Sequence, residues 1–127
     1  MVILATISNV TAHEAIPTIA TVTIERDAVD LKVRFMSEAY LAGIDLSQYS
    51  FMNDSEQSNA YDRFRGLDVA ELSAEFNAVW PNLSNDIQII QNGHPLALSL
   101  MAFTVDDIEN DEIARYSVAV ISGAITG

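Results

Sequence analysis

IATVTIERDAVDLKVRF, residues 19–35, alternates apolar and polar side chains on both sides of a break. Ala20, Val22 and Ile24 alternate with Thr21, Thr23 and Glu25. Past the break, Val29, Leu31, Val33 and Phe35 alternate with Asp30, Lys32 and Arg34. A period of two means one buried face and one wet face, so the segment predicts a β-hairpin. The turn falls at Arg26-Asp27-Ala28. Ile24 and Val29 must share a face, which calls for a connection of two or four residues.

A second hairpin is predicted in DIQIIQNGHPLALSLMAFTV, residues 86–105. Asn92-Gly93 tolerates positive φ at both central positions, as a type I′ turn requires. A two-residue loop pairs Gln91 with His94, Ile89 with Leu96 and Ile87 with Leu98, which puts the aliphatic residues on one face. After Leu100 the apolar parity shifts to Met101, Phe103 and Val105, which predicts a bulge or a strand buried on both sides. A rival reading starts a helix at Pro95. Residues 2–8 and the C-terminal YSVAVISGAITG read as further apolar strands.

Helical signals are fewer. Asp68 followed by Glu71 has the spacing of a capping box. Val69, Leu72, Phe76, Val79 and Trp80 then form one apolar stripe, and Pro81 is expected to end the helix, giving 68–80. SEAYLAGIDL suggests a short helix ending near Gly43, whereas FMNDSEQSNAYDRFRG reads as a long surface loop. Strands cluster instead of alternating strictly with helices. The expected class is α+β, one domain over residues 1–127, mainly antiparallel sheet from two hairpins and terminal strands, with helix 68–80 packed on it.

Composition narrows function. The 127 residues carry 6 basic and 18 acidic side chains, a formal charge of −12, and no cysteine. Half are hydrophobic, and a chain of this length buries roughly two thirds of its unfolded surface. Phosphate-backbone binding needs clustered Lys and Arg, so direct nucleic-acid binding is not expected, nor is contact with an anionic membrane. The absence of cysteine excludes disulfides and thiolate sites. The N-terminus lacks the positive region and cleavage site of a signal peptide, and no run approaches the ~20 apolar residues of a membrane span.

No chemistry-bearing motif emerges. His13-Glu14 begins like a zinc-protease signature, but no histidine follows four residues later. There is no GxSxG and no P-loop. The acid-rich TVDDIENDEIARY, residues 104–116, fails EF-hand spacing: the sixth residue from Asp106 is Asp111, where glycine is required. Thr104 capping a short helix, with an Asp111–Arg115 pair, accounts for most of these acids. No catalytic residue, cofactor or metal is therefore assigned.

Two groups remain as candidate partner contacts. Tyr61, Arg63, Phe64 and Arg65 combine aromatic and guanidinium groups as interface hot spots do. The bland alternative has Phe64 in the core and the arginines paired with Asp62 and Asp68. Asp107, Glu109, Asp111 and Glu112 form the second group, a negative surface. The leading expectation is a non-enzymatic assembly protein that binds protein partners, either copies of itself or a preformed lattice. By general character a virion component fits: a capsid-decoration, tail or connector protein. An acidic inhibitor or immunity-type protein is the alternative. A small enzyme or ligand-binding domain is the third, with His13, Glu14, Tyr40 and Tyr61 as its residues.

Overall fold

The computed structural model describes residues 13–110 and 113–125. The apolar segment 2–8 lies outside them. In chain order the elements are β1 (Ile19–Ile24), β2 (Ala28–Phe35), α1 (Ser37–Ala42), a 3-10 turn (Met52–Asp54), α2 (Ser58–Arg65) and α3 (Val69–Asp86). The short strands β3 (Ile90–Gln91) and β4 (His94–Pro95) follow, then β5 (Leu98–Val105) and β6 (Ser117–Ala124). The α+β class is as the alternation predicts. One antiparallel sheet has strand order β1-β2-β6-β5, and β3 and β4 form a separate ribbon.

The first hairpin follows its pattern. Ile24 faces Val29 across four connecting residues, and the Glu25 N–H donates to the Ala28 carbonyl at 2.8 Å. β6 then inserts beside β2, pairing Leu31 with Ile121, Val33 with Ala119 and Phe35 with Ser117. β5 closes the other side of β6, and its register slips between Leu100 and Ala102, leaving Met101 as the bulged residue. The parity shift in the sequence is that bulge.

The Asn92-Gly93 turn forms with φ of 52° and 80°, pairing Gln91 with His94. The Leu96 N–H reaches the Ile89 carbonyl at 2.7 Å, after which the strands part. Leu98 pairs with Gly123 of β6, not with Ile87. Gly123 makes room for this: a Cβ there would lie 3.1 Å from Leu98 Cδ2. Pro95 sits in β4, and the helix reading of that segment is incorrect.

α3 packs its apolar stripe onto the sheet. Phe76 lies against Phe35 and Ala119, and Val33, Val79, Leu83, Leu100 and Phe103 surround them. At its start the capping box forms in full: the Glu71 N–H donates to Asp68 Oδ1 at 2.7 Å, and the Asp68 N–H to Glu71 Oε1 at 3.3 Å. Asp68→Ala is expected to cost about 1 kcal/mol. A chemical-denaturation midpoint indistinguishable from wild type would refute that role.

Pro81 does not end the helix, which continues to Asp86. Proline removes one N–H, the one that would serve the Asn77 carbonyl. Leu83 nevertheless extends the Leu72, Phe76, Val79 stripe by one more turn and packs on the core. Burial of that turn outweighs the lost bond.

FMNDSEQSNAYDRFRG is not one long loop: it holds the 3-10 turn and, after three connecting residues, α2. Tyr61, Phe64 and Arg65 occupy one face of α2 at i, i+3, i+4 spacing, and all three are buried. Tyr61 joins Met36, Ala39, Ile44 and Met52 in a second apolar cluster under α1. α1 ends at Gly43, whose φ of 78° turns the chain.

Candidate functional site

The arginine–aromatic group divides on folding. Tyr61, Phe64 and Arg65 face inward, which corrects their assignment to a partner surface; of the four, only Arg63 is exposed. The Arg63 guanidinium lies over the Phe64 ring, 4.3 Å from its centroid. Burial and the nearby Glu38 charge push the Tyr61 phenol above its ordinary range. Its hydroxyl is hydrogen-bonded to His13 Nδ1 at 2.6 Å.

Arg65 has a structural task that the sequence pattern did not signal. Its Nε donates to the Ile113 carbonyl at 2.8 Å, and its Nη2 to the carbonyls of Asn110 at 2.7 Å and Ile108 at 3.2 Å. These are main-chain acceptors of the acid-rich segment, not the side chains of Asp62 or Asp68. Arg115 works beside it. Its Nε meets Glu38 Oε1 at 2.5 Å, and its Nη2 donates to the carbonyls of Leu67 at 2.8 Å and Phe64 at 3.3 Å. Arg115 is thus engaged in a buried ion pair with Glu38, while Asp111, its expected partner, lies outside the described residues.

The described residues after Val105, 106–110 and 113–116, are consequently a held loop, and the short helix expected after Thr104 is absent among them. Asp106 closes its base: the Asp106 N–H donates to the Tyr116 carbonyl at 2.9 Å, and its Oδ2 accepts from the Tyr116 N–H at 3.3 Å. With the backbone fixed from within by Arg65, Asp107 and Glu109 are left exposed. Asp111 and Glu112 lie outside the described residues. Among the described residues no group of three or more His, Asp or Glu could hold a metal ion, and no helix is long and apolar enough to cross a membrane.

The residues of the enzyme reading do not converge. His13 and Tyr61 meet in the α1–α2 cluster, and exposed Glu14 bridges through its backbone to Phe51. Tyr40 lines a separate cleft of about 350 Å³ between the sheet, α1 and the end of α3. That cleft is walled mainly by Val33, Phe35, Ile44, Phe76, Leu83 and Ile87. Burial, then the Asp86 charge, raises the Tyr40 phenol. Asp45, at the rim, is held below the ordinary carboxylate range by hydrogen bonds from Ser47 and Gln48.

One surface stands apart from these. α3 packs over β5, β6 and the Val33 and Phe35 end of β2 but does not reach β1, whose apolar face is not buried as its alternation predicts. All six β1 residues are exposed, Val22 at 58% and Ile24 at 74%. Among the described residues β1 is also a sheet edge. The two edges differ in chemistry. β5 carries a bulge at Met101 and leads into the acidic loop. β1 is six uncharged residues with no proline and no register shift. Charge, proline and bulges are the devices by which proteins protect an edge from pairing, and β1 has none of them. No protein-family model, curated protein or solved structure matches this chain.

Proposed function

We propose that the chain is a non-enzymatic assembly protein that acts through protein–protein contacts. The observation that carries this reading is β1, an exposed, uncharged strand at an unprotected sheet edge. Its main-chain donors and acceptors suit a strand from another molecule, and Val22 and Ile24 supply apolar contact. A virion lattice of the capsid-decoration, tail or connector kind is one setting that this reading fits.

Light scattering on the purified protein at low and high salt tests it. Strand pairing depends on main-chain hydrogen bonds and apolar burial. A mass above 13.9 kDa should therefore persist as salt rises and the screening length falls from ~10 Å at 0.1 M to ~3 Å at 1 M. Screening the −12 charge should favour association further. A monomer at every concentration and salt would overturn self-assembly. The acidic-inhibitor reading rests on a different feature, the loop whose Asp107 and Glu109 face solvent over an arginine-held backbone. Its sign is a complex with a basic partner that weakens steeply with salt.

A further inference from the structure

We infer that β1 pairs antiparallel with β1 of a second copy, Val22 opposite Val22, to make one continuous eight-stranded sheet. The inference rests on the assembly reading and names its partner, register and symmetry.

The free edge fixes which groups can pair. The Glu25 N–H points toward β2, where it meets the Ala28 carbonyl. In an antiparallel ladder, hydrogen-bonded and non-hydrogen-bonded pairs alternate along the strand. Thr23, Thr21 and Ile19 therefore spend their main-chain groups on β2, opposite Asp30, Lys32 and Arg34. Ala20, Val22 and Ile24 direct theirs outward, and these same residues carry the apolar side chains of the cleft-side face. A partner strand that satisfies them is drawn to the residues whose side chains need cover.

Symmetry then selects the register. Directly opposite residues in an antiparallel pair share a face, so apolar meets apolar only between positions of the same parity. With Val22 opposite Val22, Ala20 lies opposite Ile24 in both directions. All three outward-facing residues find each other, for about six hydrogen bonds. A slip of two residues would set Ile24 against Thr18 in one direction or Ala20 against Arg26 in the other, outside the strand in both cases. The arrangement is two-fold symmetric and closed, the commonest form of homo-oligomer.

Charge favours a second copy over a basic partner. Within residues 19–35, Glu25, Asp27 and Asp30 balance Arg26, Lys32 and Arg34. The hairpin is neutral, and the rest of the chain carries the whole −12. Two such acidic molecules meet with least repulsion at this hairpin, whereas a cationic partner would be drawn elsewhere.

The chain has no cysteine, so single-cysteine variants report the register directly. Val22→Cys should form a disulfide-linked dimer under mild oxidation at least tenfold faster than Thr21→Cys, since opposed Cα atoms in a hydrogen-bonded pair lie about 5.5 Å apart. Val22→Pro removes an outward N–H and leaves the β1–β2 ladder intact. With its circular dichroism unchanged, it should reduce the light-scattering mass from twice 13.9 kDa to the monomer. Val22→Lys should do the same if the proline variant misfolds. A folded Val22→Pro that keeps the wild-type mass, with no fast Val22→Cys cross-link, would overturn β1 pairing while leaving assembly through another surface standing. Faster linking of Thr21→Cys would overturn the register. Mass that grows without Val22→Cys linking would signal head-to-tail addition to β5 and overturn the closed pair. A wild type that stays monomeric at every concentration overturns β1 self-pairing together with self-assembly, and leaves only binding to a preformed lattice for the assembly reading.

Discussion

Arg115→Ala should lower stability by about 3–5 kcal/mol, a large part of the ~5–15 kcal/mol that holds a typical domain. Arg115 is only 3% exposed and Glu38 is fully buried, so neither charge has water to fall back on. Truncation would leave the Glu38 carboxylate without its counter-charge. Its Oε2 has no hydrogen-bond partner among the described residues even in the intact protein. It would also strip the donor from the Leu67 and Phe64 carbonyls where α2 turns toward α3. Glu38→Ala should cost less, because Arg115 keeps those two carbonyl acceptors. A double variant with Glu38→Leu and Arg115→Met should recover much of the loss, since apolar replacement of a buried pair is often neutral or better. Urea denaturation of the three variants measures this. If Arg115→Ala shifted stability by less than about 1 kcal/mol, the pair would not be the organising contact between α1, the α2–α3 junction and the acidic loop.

These contacts mark what could be read from sequence and what could not. Local rules set the elements whose causes are local. The alternation of residues 19–35, the Asp68–Glu71 box, the Asn92-Gly93 turn and the parity shift at Met101 each appear where their chemistry places them. The departures come from long-range packing. Pro81 is a strong local stop, yet Leu83 finds the core one turn later. α2 is polar by composition, and it becomes a helix because Tyr61 has a cluster to fill, Phe64 is buried beside it on the same face, and Arg65 has carbonyls to bind. Nothing in the sequence near Arg115 points to Glu38, 77 positions away.

The candidate surfaces divide along the same line. Asp107 and Glu109 are exposed as their composition suggests, but the internal arginine that fixes their loop is a product of the tertiary structure. β1 was legible as a strand and not as an edge. Its position depends on β6, far later in the chain, inserting beside β2 and not beside β1. Alternation alone implies a buried apolar face; α3 packs over β5, β6 and one end of β2 and stops short of β1, so that face stays open.

Phe76→Ala carries the second large effect, an expected loss of about 3 kcal/mol, the lower end of the range for phenylalanine truncation. The ring is fully buried. It stacks on Phe103 at 4.1 Å between centroids and 10° between planes, and meets Phe35 edge-on at 5.7 Å. Loss of both ring pairs argues for a high cost. Against this, Phe76 also forms part of the wall of the 350 Å³ cleft. The space left by truncation would open into that cleft and not stay as a sealed void, so neighbouring side chains and water can enter it and limit the penalty. Leu72 offers the contrast: it is equally buried but does not line the cleft. Leu72→Ala should therefore lose about as much as Phe76→Ala despite removing fewer atoms. Denaturant midpoints of the two variants decide this. A loss above ~5 kcal/mol for Phe76→Ala, well beyond that of Leu72→Ala, would mean that the cleft cannot relax around the missing ring. The folded fraction of either variant should still associate through β1, because the α3 stripe supports the β5–β6 side of the sheet and the pairing edge lies on the other.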